Sequence, residues 1–138
     1  MESLGAVRLI RTTTLAEASY SHAATTEGPT RPVFVAGACP LDDEGDVVAP
    51  GDVTIQAARC LTNLEDALRT GGAGLRDVIY TRVLVATADR ADLVAAWEVV
   101  ASTFADHDVP STLHGVTVLG YPDQLVEIEA VAFVPLES

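Results

Sequence analysis

The stretch QLVEIEAVAFV, Gln124 to Val134, sets a glutamate beside a hydrophobe twice and then runs apolar almost to the end of the chain. Strand side chains alternate between faces, so Val126, Ile128, Ala130 and Ala132 share one side, and Glu127, Glu129, Val131 and Phe133 the other. The first set reads as core. The second mixes two carboxylates with apolar residues, a face too apolar to be left wholly in water.

Working outward, TLHGVTVLG precedes this strand and reads as another, separated from it by the turn-prone Tyr121, Pro122 and Asp123. DVIYTRVLVAT is also strand-like: with Ile79, Thr81, Val83 and Val85 inward, Tyr80, Arg82 and Leu84 fall on the second face. Two helices stand out. DVTIQAARCLTNLEDALRTGG aligns Ile55, Ala58, Leu61, Leu64 and Leu68, with Asp52 as N-cap and Gly71 and Gly72 as the stop. DRADLVAAWEVVASTFADH aligns Leu93, Ala96, Trp97, Val100 and Phe104, with Asp89 and Asp92 at capping spacing and an end before Pro110. By this period Trp97 belongs to the helix core.

At the other end VRLIR (Val7 to Arg11) is a short strand, and SYSHAATTEGPTRPVFVAGA reads as two strands around Gly28 and Pro29, a hairpin-like start. The order β-β-β-α-β-α-β-β predicts one α+β domain over residues 1–138, a mixed sheet with two helices. Right-handed crossovers put both helices on one face. Two helices cannot cover both faces, so another subunit is expected against Glu127 and Glu129.

Composition limits what the fold serves. The chain has 138 residues, 49% hydrophobic and 20% charged, with a formal net charge of -12 and no basic cluster, which disfavours nucleic acid as a partner. MESLGAVRLIRTTT lacks the apolar core of a signal peptide and no apolar run is long enough to span a bilayer, so no membrane and a cytoplasmic location are expected. Cys39 and Cys60 are too far apart for a redox or zinc motif, and read as small buried hydrophobes. His22, His107 and His114 show no metal-ligand spacing.

The runs YSHA (Tyr20 to Ala23), VFVAGACPLDDEGDVV, QAARCLTNLEDAL, GLRDVIYTRVLV and VTVLGYPDQLVEIEAVA, in this order and spacing, resemble the RidA (YjgF) family over nearly the whole chain. The resemblance implies a chorismate-mutase-like α+β fold, a homotrimer with clefts between adjacent subunits, and hydrolysis of reactive enamines and imines such as 2-aminoacrylate and 2-iminopropionate. It implies no metal and no organic cofactor.

Carried over by position, Tyr20 matches the family's cleft tyrosine, Gly37 the glycine after the third strand, and Glu127 the glutamate credited with positioning or activating water. The family's arginine clamp for the substrate carboxylate finds no match. With Val116 to Pro122 held in register its position falls on Leu113, and a slip of one residue gives Thr112 or His114. None of these offers a planar, bidentate fork. Standard deamination of 2-iminopropionate is therefore expected to be poor, and Leu113 points to a less charged or bulkier ligand.

Glu127 is the favoured catalytic residue, with Tyr20 or His114 moving a proton, because an acid on an otherwise apolar strand face is costly unless used or paired. His22 lies near the expected cleft, and imidazole suits acid-base work near neutral pH. Glu129 reads as a structural partner of Arg82, with Arg82 as an alternative substitute for the clamp. Cys39 stands beside the cleft glycine.

Three classes of function follow: an enzyme on imine, enamine or related carbonyl intermediates; a biosynthetic tailoring enzyme that hydrolyses, isomerises or cyclises a pathway intermediate in the same cleft; and a ligand-binding or chaperone-like trimer without turnover. A shared fold does not choose among them.

Overall fold

The computed structural model describes residues 5–136. The strands are β1 (Val7–Ile10), β2 (Ala23–Thr26), β3 (Thr30–Ala38), β4 (Val78–Ala86), β5 (Ser111–Val116) and β6 (Val126–Pro135); α1 (Val53–Thr70) follows β3 and α2 (Arg90–Phe104) follows β4. A single 3-10 turn, Leu75–Asp77, leads into β4. The element order is the one the sequence predicts. Among the described residues no helix is long and apolar enough to cross a membrane.

β3, β6, β4 and β5 form a four-stranded sheet in that spatial order, with β5 parallel to β4 and the other pairs antiparallel. The expected hairpin at the start is corrected: β2 pairs with β1 in a separate two-stranded ribbon, and β3 pairs with β6. Gly28, at φ 74°, turns the chain from one sheet to the other. β3 is an edge strand, which is why Pro32, lacking an N–H, is tolerated within it.

Both helices lie on one face. Asp52 caps α1 by accepting from the Ile55 N–H at 2.9 Å, and Asp89 caps α2 by accepting from Ala91 at 2.9 Å. The buried stripe of α1 is Val53, Gln56, Ala57, Cys60, Leu61, Leu64 and Leu68, whereas Ile55 and Ala58 face outward. Gln56 explains this rotation. Its amide donates to Ala49 O (3.3 Å) and Asp123 O (3.0 Å) and its side-chain oxygen accepts from Leu125 N (2.8 Å), so a glutamine holds an inward place and ties α1 to the approach to β6.

Under the helices Val126, Ile128, Ala130 and Ala132 are buried, as the alternation requires. On β4 the inward set is Val78, Thr81, Val83 and Val85. A bulge between Val78 and Tyr80 brings Val78 rather than Ile79 inward, a correction that strict period two could not foresee. Among the described residues no helix packs on the opposite face, where Tyr80, Leu84, Glu127, Glu129, Val131 and Phe133 are all partly exposed and Phe34 is 76% exposed.

Candidate functional site

Glu127 sits in a seat made by three short segments. A second bulge, between Val35 and Ala38, interrupts the β3–β6 register where Gly37 approaches Glu127. A Cβ built on Gly37 would come within 3.0 Å of the Glu127 Cγ, closer still to its carboxylate. Only glycine leaves that room.

Two donors fix the carboxylate. The Cys39 thiol donates to Oε1 at 3.3 Å, and the Gln124 amide donates to the same oxygen at 3.3 Å. Gln124 is itself braced, donating to Val126 O (3.0 Å) while its side-chain oxygen accepts from Tyr121 N (3.0 Å). Burial pushes the Cys39 thiol up to about 11, helped by the hydrogen bond to Glu127 and its charge, so at neutral pH it remains a protonated donor. Cys60, buried beneath, is raised further by desolvation and donates to Val126 O at 3.4 Å. With Oε1 doubly held, Oε2, on the side toward Gly37, has no hydrogen-bond donor among the described residues.

Sheet register arranges the remaining candidates in rows. Leu84 on β4 lies opposite Glu127 on one side and His114 on the other. One row along, Arg82 lies between Glu129 and Thr112. Arg82 and Glu129 approach to 3.6 Å, and Thr112 shares a 2.7 Å hydrogen bond with the Tyr80 hydroxyl. Thr112 and His114 thus share a face with Glu127. Leu113 lies opposite Val83 and packs against the core, one residue out of phase with that face.

Tyr20 belongs to a different neighbourhood. Its ring meets Trp97 of α2 edge-to-face, centroids 6.1 Å apart at 85°. Together with Ser19, Ser111, Thr112 and Leu113 this pair lines an open groove of about 470 Å³ along the free edge of β5. Trp97 packs, partly buried, against the core and also walls this groove, and its indole N–H donates to Ser19 Oγ at 2.8 Å. His22 stands behind the same loop: Nδ1 accepts from Thr12 N at 3.0 Å and Nε2 contacts Ala16 O at 3.0 Å. Both ring nitrogens brace residues 12–16, which leaves neither for a substrate. Among the described residues no three His, Cys, Asp or Glu side chains gather to hold a metal ion.

Within one chain, then, Glu127, Gly37, Cys39, His114, Thr112 and Arg82 come together around the second face, while Tyr20 stands at the β5 edge. Sequence reasoning missed Gln124, Ser19 and Ser111. Gln124 precedes the first strand residue, and loop serines carry no periodic signal.

Residues 11–134 match the family described as Endoribonuclease L-PSP. The chain belongs to this family. Its relatives include the 3-aminoacrylate deaminase RutC of Acinetobacter baylyi, 34% identical over 102 residues that span 74% of this chain and 79% of that protein. The crystal structure of YyfB, a Rid family protein from Yersinia pestis, is similar with a TM-score of 0.85 and 29% identity, covering 92% of this chain and 98% of that one. Rv2704 from Mycobacterium tuberculosis, of the YjgF/YER057c/UK114 family, is 32% identical with a TM-score of 0.64, covering 93% and 99%. The RidA/YjgF family and its α+β fold are thereby established for this chain.

Proposed function

We propose that this RidA/YjgF family member is a small-molecule enzyme that uses Glu127 to direct water at a reactive imine, enamine or related carbonyl intermediate. The cleft lies between subunits of a homotrimer, with Tyr20 supplied by the neighbouring subunit. The observation that carries the reading is the seat of Glu127: a carboxylate on a largely apolar face, with a bulge and a glycine clearing its space and two donors holding one oxygen. Structure spent on aiming a carboxylate is what general-base chemistry needs. The deaminase name of the RutC relative points the same way.

In the step this arrangement supports, Glu127 Oε2 takes a proton from water as the oxygen attacks the imine carbon. The resulting carbinolamine loses ammonia as its C–N bond breaks, leaving a carbonyl product. An enamine enters after protonation at carbon. Tyr20 or His114 supplies or collects the proton on nitrogen. The chain contains no lysine, so none of its side chains can form a Schiff base.

The second reading, another acid-base reaction on a pathway intermediate, is favoured by residues 110–116, Pro-Ser-Thr-Leu-His-Gly-Val, which hold no arginine for a substrate carboxylate. Ribonuclease activity is disfavoured by the net charge of -12.

The test generates imines in situ, from amino acids with an amino-acid oxidase and from simple amines with an amine oxidase, and follows their decay. Wild type should accelerate decay of at least one imine and Glu127→Gln should not, with an unchanged sedimentation profile. Equal rates for the two proteins on every imine would remove Glu127 from the mechanism, and no acceleration by either would favour a binding role.

A further inference from the structure

We infer that the groove at the β5 edge takes an uncharged substrate carrying an aromatic or similarly flat apolar group; this rests on the reading that Tyr20 belongs to the substrate site. The groove's volume, about 470 Å³, lies within the range of small-molecule pockets. One corner is Tyr20 against Trp97, and a ring added there meets the π surface and edges of both. The other lining residues are Ser19, Ser111, Thr112 and Leu113, three hydroxyls and one aliphatic side chain. Among the described residues of one chain, no Arg, Lys, His, Asp or Glu lines it.

Two nearby cations of the same chain, Arg11 and Arg82, are already engaged. Arg11 forms an ion pair with Asp108 and donates to Ala18 O at 2.9 Å, and Arg82 pairs with Glu129 at 3.6 Å. A carboxylate entering the groove would lose water without gaining a counter-charge, inside a chain whose net charge is -12. A neutral amide, imine or carbonyl meets hydroxyl partners at no such cost. The groove therefore selects by charge first and by flatness second.

Trp97 is the only tryptophan in the chain, so its indole N–H, held on Ser19, gives one NMR resonance that reports on the groove without any turnover. Phenylacetamide and phenylacetate are near-isosteres that differ in charge. Phenylacetamide should shift the resonance saturably, with phenylacetate binding about tenfold or more weakly. Thr112→Arg should reverse that order, and the wild-type comparison stands without it if the variant does not fold. Equal or tighter binding of phenylacetate overturns the charge selection, and no saturable shift with phenylacetamide overturns the groove as a ligand site. Neither result bears on Glu127, whose role is read from imine decay alone.

Discussion

Glu127 occupies the volume that a side chain at Gly37 would need: the nearest atoms to a Cβ there are the carboxylate of Glu127, with its Cδ at 2.7 Å. The backbone of Gly37 is not in the left-handed region, so the demand for glycine comes from the neighbour.

Gly37→Ala therefore tests the seat directly. The added methyl group should push the carboxylate off its two donors and lower turnover by about a hundredfold, the scale expected for roughly 1 Å of misplacement. Stability should fall by about 1–3 kcal/mol from overpacking. Thermal melts and imine-decay rates on the same sample separate the two effects, and wild-type turnover in the variant would show that the close fit is without functional weight.

Cys39 should be a poor nucleophile. With its thiol raised to about 11 from the ordinary 9.0, thiolate at pH 8 is scarcer by about a hundredfold than for an exposed cysteine. Iodoacetamide labelling read by peptide mass spectrometry should be correspondingly slow, and Glu127→Gln should speed it by removing the carboxylate charge. The same shift sets a sign for stability. Because the folded thiol keeps its proton more tightly than the unfolded one, its contribution is full below pH 9.0 and is lost as pH rises toward 11.

Arg82 and Glu129 should matter little to folding. Their side chains are 44% and 38% exposed, and solvent screens the pair to about 0–1 kcal/mol. Arg82→Met and Glu129→Gln should each melt within a few degrees of wild type and keep turnover. A selective rise in KM for an anionic substrate in Arg82→Met would mean that this guanidinium serves as the missing clamp.

Phe34 is 76% exposed on the face that carries Glu127, beside Val131. Phe34→Glu should disrupt assembly while leaving the helix-side core intact. Sedimentation should show a trimer for wild type and smaller species for the variant. A wild-type monomer at micromolar concentration would contradict both the trimer and the shared cleft.

Much of this was legible in the residues. Period two in β6 placed Glu127 and Glu129 away from Val126 and Ile128, and the caps Asp52 and Asp89 marked both helix starts. What escaped was set by features that periodicity does not encode. Bulges shifted Ile79 and brought Gly37 to Glu127, and pairing of β1 with β2 depended on long-range competition among strands. Gln56 rotated the stripe of α1 because a hydrogen-bonded glutamine can fill a core position that a hydrophobic template reserves for aliphatics. Trp97 packs on the core as its helical period requires and still borders a groove, since period gives a direction and not the depth of cover.

Tyr20 rests on α2 at the β5 edge, whereas Glu127 stands on the far face of β6, two strands in from β5. If each cleft takes one residue from each of two neighbours, two inactive proteins can rescue one another. Unfolding and refolding Tyr20→Phe together with Glu127→Gln in equal amounts would form mixed assemblies in which about a quarter of the clefts carry both intact residues. Defects in the two halves of the site would then complement between chains, and a protein silent in either pure preparation would regain activity by shuffling alone.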